Sequence, residues 1–299
     1  MLFTGGIGLD GQPTDAASLY DPATGQTTTL AMGTARAGHG ASRLGDGRVL
    51  VTGGFETVSI SDPLALFAGM RNTTEIFDPA TGAFAPGPNM LEARALHSSS
   101  ELSNGEVLIA GGLSLIPIVN IPTVSATAYR YDPARNSFGL PALMNGARFL
   151  HSAVGLDDGK VLLAGGLTVD LSRFLQTGQI TDIIIGTRDD VQLYRPSLFG
   201  FGTFTTVAGM QEGRAGAAVA ALPGGGALIA GGFRLVIDIA TQTFDVAATA
   251  SADVFTQGPN AIRPTGSLAS PRIFPGAVNL PDGTVMVFGG GGGAEIWQR

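Results

Sequence analysis

The chain has 299 residues, of which 14% are charged, and its formal net charge is −7. No basic stripe of the kind that nucleic-acid-binding proteins carry is visible, so we expect no nucleic-acid partner. The absence of cysteine excludes disulfides, thiolate metal ligands and cysteine nucleophiles. No run of about 18 apolar residues occurs, so the sequence predicts no transmembrane segment.

The composition predicts an all-β fold with many turns. Glycine supplies 45 residues and proline 17, and the apolar runs between them are short. The first residues, Met1 to Gly6, already have the character of mature structure, so we expect no signal peptide. Lys160 is the single lysine of the chain.

An apolar run that ends in a pair of glycines recurs six times along the chain. The first glycines of the six pairs are Gly5, Gly53, Gly111, Gly165, Gly231 and Gly289. The steps between them are 48, 58, 54, 66 and 58 residues. A recurrence of this length indicates a repeat architecture.

A second marker keeps a constant distance from the first. One arginine lies 17 residues before each of the last five diglycines, namely Arg36, Arg94, Arg148, Arg214 and Arg272. A tight turn of the Asp46-Gly47 type, which suits a hairpin, lies between arginine and diglycine. We therefore predict that the arginine begins strand a and that strand b ends at the diglycine. Strand c follows and ends at an Asp-Pro pair such as Asp21-Pro22, and a short strand d completes the unit.

These motifs resemble the kelch repeat in its bacterial form, which also builds the central domain of galactose oxidase. The run Gly45-Asp46-Gly47-Arg48-Val49-Leu50-Val51-Thr52-Gly53-Gly54 carries the likeness best. The resemblance implies a kelch-type β-propeller of about six four-stranded blades. It leaves function open, because kelch propellers include enzymes, peptide receptors and structural proteins.

The repeats at the two ends are each one strand short, so the first and last blades are expected to be incomplete. The first lacks strand a and the last lacks strand d, which predicts 22 blade strands instead of 24. We predict a single propeller domain over residues 1–299. The predicted blades are 1–33, 34–91, 92–145, 146–211, 212–269 and 270–299.

No motif predicts catalysis, so we expect a binding module more than an enzyme, with no cofactor. Copper chemistry of the galactose oxidase type needs a cysteine, and the repeated boxes of sialidases, phosphate loops and zinc-protease motifs are absent. His39, His97 and His151 each follow the repeat arginine by three residues. They would form either a metal or acid–base cluster, or contacts between blades, and the second interpretation is favoured.

The five repeat arginines are candidate binding residues. In kelch propellers strand a is innermost, which would place the arginines near the channel mouth, where a ring of guanidinium groups could bind an anion. The alternative is that each arginine binds backbone carbonyls within its own blade. Recurrence in five blades favours that structural role.

The long b–c segments are the second group of candidates, because they are apolar where solvated loops are normally polar. They cover residues 55–73, 113–125, 167–189 and 233–250, and the last alternates like an additional hairpin. They either cap one another or present an apolar face to a protein or a membrane surface. The candidate contact residues are Leu66, Phe67, Ile116, Ile118, Phe174, Ile184 and Leu235.

Three functions are consistent with these patterns. The first is a non-catalytic interaction or assembly module that binds a protein partner, or another copy of itself, through the b–c segments. The second is a carbohydrate- or anion-binding propeller that could process a sugar. The third is a subunit of a larger extracellular or membrane-attached complex, since unpaired sheet edges accept strands from another chain. The alanine-, glycine- and arginine-rich, lysine-poor composition favours a bacterial source. Export is compatible with propellers of this kind, so we expect an extracytoplasmic location, secreted or periplasmic.

Overall fold

The computed structural model describes residues 1–59, 68–116, 121–170, 176, 184–197, 201–238 and 243–298. These residues contain thirty β-strands. The chain divides into two compact units, one of Met1–Glu101 with Gly105–Pro141 and the other of Leu102–Asn104 with Ala142–Arg299. The single domain that the repeat suggests stays a prediction.

The first unit contains the strands of blades 1 to 3. Blade 1 has β1 (Leu2–Thr4), β2 (Ala16–Asp21) and β3 (Gln26–Ala31). Blade 2 has β4 (Gly40–Arg43), β5 (Val49–Thr52), β6 (Thr74–Asp78) and β7 (Ala83–Pro86). Blade 3 has β8 (Arg94–Ala95), β9 (Ser98–Glu101), β10 (Val107–Ala110), β11 (Leu113–Ile116), β12 (Ile121–Val124), β13 (Thr127–Asp132) and β14 (Ser137–Phe138).

The second unit contains blades 4 to 6, after the short β15 (Ala142–Leu143). Blade 4 has β16 (Ser152–Gly155), β17 (Val161–Ala164), β18 (Leu167–Asp170), β19 (Ile184–Thr187), β20 (Asp190–Arg195) and β21 (Thr203–Gly209). Blade 5 has β22 (Ala218–Leu222), β23 (Gly226–Ala230), β24 (Phe233–Asp238), β25 (Thr243–Ala248), β26 (Ala252–Thr256) and β27 (Ala261–Thr265). Blade 6 has β28 (Gly276–Asn279), β29 (Val285–Gly289) and β30 (Gly292–Trp297).

Each blade is an antiparallel sheet whose strands pair in the order a, b, c, d. Blades 2 to 5 pair in the orders β4-β5-β6-β7, β9-β10-β13-β14, β16-β17-β20-β21 and β22-β23-β26-β27. The first and last blades are three-stranded, in the orders β1-β2-β3 and β28-β29-β30. The incomplete end blades and the 22 blade strands that the repeat predicts are therefore confirmed.

Neighbouring blades within each unit pack through their apolar faces. In the first unit, Leu50 and Ile76 of blade 2 pack against Val107 and Ile109 of blade 3. In the second unit, one cluster joins blades 4 and 5, and another joins blades 5 and 6. A four-stranded sheet that is apolar on both faces can be buried only between two other layers, which is why the blades stack.

Strand a does not begin at the repeat arginine, as the sequence predicts, but four residues after it. The reason is the residue two positions after each arginine, which has a left-handed backbone in all five blades. This position holds Gly38, Leu96, Leu150, Gly216 and Phe274, with φ between 53° and 62°. A left-handed residue turns the chain out of the extended conformation, so the ladder of strand a starts only beyond it.

The diglycine is required by the approach of the next blade. The N–H of Gly54 donates to the carbonyl oxygen of Arg94 at 2.9 Å, and that of Gly166 donates to Arg214 at 2.9 Å. A Cβ atom on the preceding glycine would lie 2.3 Å from the Arg94 oxygen at Gly53 and 2.0 Å from the Arg214 oxygen at Gly165. Any side chain there would push neighbouring blades apart.

Candidate functional site

The five repeat arginines lie inside their own blades, with at most 1% of their surface exposed. In each of them Nη1 donates to the carbonyl oxygen of the diglycine's first residue, 17 positions along the chain. The distances are 2.7 Å from Arg36 to Gly53, 2.8 Å from Arg94 to Gly111, 2.9 Å from Arg148 to Gly165, 3.2 Å from Arg214 to Gly231 and 2.9 Å from Arg272 to Gly289. The same nitrogen reaches a carbonyl at the start of strand c. The constant spacing of 17 is therefore the reach of one side chain, and we call this arrangement the arginine clamp.

Three of the clamps take their carboxylate from one position of strand c. Glu75 lies opposite Val51 of strand b, Asp253 opposite Ile229, and Glu295 opposite Val287. Glu75 lies 3.1 Å from Nη2 of its arginine and Asp253 lies 2.8 Å from Nη2 of its own, while Glu295 pairs with Arg272. Each of these three guanidinium groups is thus paired with a carboxylate from strand c of its own blade.

Blades 3 and 4 obtain the carboxylate from elsewhere, because Tyr129 and Gln192 occupy the strand c position. In blade 3, Glu92 lies two residues before the clamp arginine and reaches it at 2.8 Å. The Tyr129 hydroxyl donates to the same carboxylate at 2.9 Å, and its ring lies 4.8 Å from the Arg94 guanidinium carbon. In blade 4, Asp190 at the start of strand c lies 2.6 Å from its arginine, and Gln192 donates to it at 3.1 Å.

Burial and pairing shift the pKa values of these groups in opposite directions. Loss of hydration lowers the pKa of the guanidinium groups of Arg36, Arg94, Arg148 and Arg214. Burial alone would raise the pKa of Asp190, but hydrogen bonds from Arg188 and the charge of Arg148 lower it to about 2. Burial raises the pKa of Asp253, which is 0% exposed, in spite of Arg214 beside it.

The clamp contacts favour the structural interpretation of the arginines over an anion-binding ring. Each buried guanidinium already donates to two carbonyls and pairs with a carboxylate, so neither Nη atom is presented to solvent. A channel-mouth role for Arg36, Arg94, Arg148, Arg214 and Arg272 stays a prediction that these observations do not favour.

His39 and His97, which follow two of the clamps, make contacts between blades. Nε2 of His39 lies 2.9 Å from the hydroxyl of Thr4 in blade 1, and Nε2 of His97 lies 2.8 Å from the hydroxyl of Thr52 in blade 2. Burial, reinforced by the charge of Arg94, lowers the pKa of His97 to about 3. His151, in the second unit, is also buried. Neutral, buried rings of this kind favour packing over an acid–base cluster.

The b–c segments of blades 3, 4 and 5 are β-hairpins. The sequence indicates a hairpin for blade 5, and the pairing of Phe233 with Ala248 bears this out. Blades 3 and 4 differ from the expected loops, since β11 pairs with β12 and β18 pairs with β19. At the base of the hairpins in blades 4 and 5, the residue after the diglycine bridges the residue that follows the clamp arginine: Leu167 bridges Phe149, and Phe233 bridges Ala215.

The structure describes only some of the candidate contact residues that were predicted in the b–c segments. Leu66, Phe67, Ile118 and Phe174 lie outside the described residues. Ile116 ends β11 opposite Ile121, and Ile184 begins β19 opposite Asp170, but their side chains lie outside the described part of the chain. Leu235 is half-buried in β24 opposite Val246, which is 48% exposed.

Two of these hairpins adjoin in the second unit. The backbone N–H of Leu235 in β24 donates to the hydroxyl of Thr187 in β19 at 2.9 Å. Val169 lies opposite Ile185 in the first hairpin, and both are half-buried. We call these two hairpins, β18–β19 and β24–β25, the hairpin pair. It carries apolar cross-strand pairs at the b–c end of blades 4 and 5.

A polar depression that the sequence analysis did not predict lies beside the β11–β12 hairpin. Its one signal in the sequence is Glu92, two residues before a clamp arginine, a position that Glu212 occupies before Arg214. The depression has a volume of about 220 Å³. Glu92 forms part of its wall with the hydroxyl residues Ser114, Thr123, Ser125 and Thr127. Ser114 donates to the Glu92 carboxylate at 3.2 Å. A carboxylate among hydroxyl groups can bind a polar ligand by hydrogen bonds.

Two kinds of feature are absent from the described residues. Within the described ranges, no three His, Asp or Glu side chains form a group that could hold a metal ion. No helix in the part of the chain that the structure describes has the length and apolar character needed to cross a membrane.

Comparison with known proteins identifies the fold. No family model matches the sequence, and no curated protein matches it. The structure of YjhT superposes with a TM-score of 0.66 over 98% of this chain and 92% of its own, at 15% identity. A fungal alcohol oxidase of the AA5 family, solved with copper, gives a TM-score of 0.56 over 96% of this chain and 67% of its own, at 17% identity. These are propellers of the kelch and galactose oxidase type, so the chain has the fold of a kelch-type β-propeller with about six blades, as the repeat predicts.

Proposed function

We propose that this chain is a non-catalytic protein-binding module and that the hairpin pair is its contact surface. The observation that carries the proposal is the exposed side chain of Val246, at 48% exposure, with the half-buried Leu235 opposite it on the neighbouring strand. Apolar surface of this kind, on hairpins fixed by a rigid sheet, is typical of protein contacts. The partner is a protein or a second copy of the chain.

The burial of the clamp arginines supports a binding role for the hairpins and not for the arginines of the repeat. The clamp arginines have their Nη donors occupied inside the blades, whereas the b–c ends differ from blade to blade. Binding residues commonly lie on segments that vary while a common scaffold holds them.

The experiment is a single charge placed on the hairpin pair. Val246→Asp should weaken association at least tenfold, since it places a carboxylate in an apolar contact. Val278→Asp is the matched control, because Val278 lies in β28 of the same unit with 43% exposure. Association is measured by sedimentation for self-assembly and by cross-linking with mass spectrometry for a partner. Equal binding by wild type and Val246→Asp, or equal loss in both variants, would refute the proposal.

A second candidate function is carbohydrate binding in the Glu92 depression. Its carboxylate and four hydroxyl-bearing neighbours support this, since sugars are bound through such groups. A glycan array with wild type and Glu92→Gln tests it. The candidate is abandoned if wild type binds no glycan or if the substitution leaves binding unchanged.

Membership of the kelch family, a single domain, a role as a subunit of a larger complex and an extracytoplasmic bacterial location are further proposals. The registered repeat supports the first of these. Native mass spectrometry of the purified protein with its co-purifying partners tests the role as a complex subunit.

A further inference from the structure

A second depression lies at the opposite end of blades 4 and 5, where the a–b and c–d turns meet. It is open, has a volume of about 550 Å³ and belongs entirely to the second unit. Its lining residues are Lys160, Arg195, Gly224, Gln257, Gly258 and Asn260. A Cβ atom built on Gly224 or Gly258 would meet no atom within 4 Å, so the space above both glycines is free for a ligand.

Arg195 breaks the repeat at this place. Strand c of blades 1 to 3 ends in aspartate, and Asp21, Asp78 and Asp132 each accept the backbone N–H two residues later at 2.8–2.9 Å. Blade 4 has Arg195 at the same position, directly before Pro196. A guanidinium cannot accept that hydrogen bond, so blade 4 lacks a turn contact that blades 1 to 3 have.

The Arg195 side chain also has no partner in the part of the chain that the structure describes. It is exposed, and among the described residues it makes no ion pair or hydrogen bond. By contrast, the exposed Arg135 pairs with Asp132 at 2.9 Å, and Arg48 pairs with Asp46 at 2.7 Å. A cation therefore faces the depression where the repeat would supply a carboxylate.

The two charged residues that line the depression are both positive. Lys160 pairs with Asp158, and Gln257 of blade 5 donates to the same carboxylate, which joins the two blades at this wall. Lys160 and Arg195 are the charged residues of the lining, and Asp158 pairs with Lys160 from outside it. In a chain of net charge −7, a depression lined by two basic residues and two side-chain amides departs from the acidic character of the whole protein.

We propose that this depression binds the oxyanion of a small polar ligand, a carboxylate, sulfate or phosphate, with Arg195 as the principal contact. A guanidinium presents two N–H groups in the geometry that oxyanions accept, and Lys160 adds charge beside it. The amides of Gln257 and Asn260 lie where they can hydrogen-bond the uncharged part of the ligand. This inference is independent of the hairpin pair, which lies at the other end of the blades.

The single lysine makes a direct test possible. Reductive methylation with ¹³C-formaldehyde labels Lys160 and the α-amino group, and dimethyl-lysine keeps its positive charge. We expect the Lys160 resonance to shift saturably on titration with sulfate, phosphate or glucuronate, and the α-amino resonance to stay in place. Glucose, which lacks the oxyanion, should give no saturable shift. The order of the three anions identifies the class of oxyanion that the site prefers.

Arg195→Asp is the decisive variant, because it restores the residue of blades 1 to 3 and should fold. We expect it to weaken anion binding about tenfold or more, as loss of a charged hydrogen bond does. Arg263→Asp changes the net charge equally at an exposed position outside the depression and should bind as wild type does. The proposal is overturned if chloride at matched ionic strength shifts the Lys160 resonance equally, if Arg195→Asp titrates as wild type does, or if no anion produces saturation.

Discussion

Removal of one clamp arginine should destabilise the second unit strongly, and Arg214→Met is the sharpest case. Arg214 and Asp253 form an ion pair in which both side chains are 0% exposed. Arg214 also donates to the carbonyl oxygens of Gly231 and Ser251, at 3.2 and 2.6 Å, and to the Ser251 hydroxyl at 2.6 Å. Methionine fills most of the volume but supplies none of these donors.

The expected loss follows from the charge left behind. Breaking a buried ion pair by removing one partner costs about 3–5 kcal/mol, because the other charge stays buried without compensation. At roughly 2–4 °C per kcal/mol, the melting temperature should fall by about 6–20 °C. Arg135→Met is the control, since Arg135 is 82% exposed in its pair with Asp132 and such a pair contributes at most about 1 kcal/mol.

Calorimetry and the fluorescence of Trp297, the single tryptophan, measure the loss in the same unit. Adding Asp253→Leu to Arg214→Met should recover part of the stability, because the uncompensated carboxylate is then gone. Burial already raises the pKa of Asp253 above its ordinary value of 3.8 in the folded protein. The folded state therefore binds a proton at Asp253 more tightly than the unfolded state does, and this contribution to stability is lost as the pH rises. The penalty of Arg214→Met should accordingly shrink as the pH falls toward 3.8. A fall no larger than that of Arg135→Met would refute the reasoning.

Two further predictions concern the histidine contact and the diglycine. Because burial lowers the pKa of His97 to about 3, the unfolded chain takes up a proton below its ordinary value of 6.5 while the folded one does not. The contribution of His97 to stability should therefore fall by about 1.4 kcal/mol per pH unit between 6.5 and about 3, and His97→Gln should flatten this slope in urea unfolding; an unchanged slope would contradict it. Gly165→Ala should cost at least about 2 kcal/mol more than Gly258→Ala, since both glycines are left-handed but only Gly165 faces a carbonyl oxygen at 2.0 Å. Equal costs in thermal unfolding would mean that backbone conformation alone, and not the approach of the next blade, determines the effect.

The blade order was predictable because it depends on local chemistry. Apolar runs, Asp-Gly turns and Asp-Pro pairs each act within a few residues, and their recurrence in register predicts strands b, c and d. The spacing of 17 between Arg36 and Gly53 is visible in the sequence, but the hydrogen bond that explains it is visible only in the structure. The start of strand a was predicted too early, because the left-handed backbone at Leu96, Leu150 and Phe274 has no glycine to mark it.

The candidate sites depend on contacts that no local pattern carries. The clamp carboxylate comes from Glu75 in one blade, from Glu92 in the next and from Asp190 in the one after, since any carboxylate within reach of the guanidinium serves equally well. Likewise, Lys160 and Arg195 are 35 residues apart, and only the pairing of strands b and c brings them to one depression. The sequence by itself determined the repeat, because turns and alternation are local. The tertiary structure decided which charges face inward and which remain open to a ligand, because that depends on distances between strands far apart in the chain.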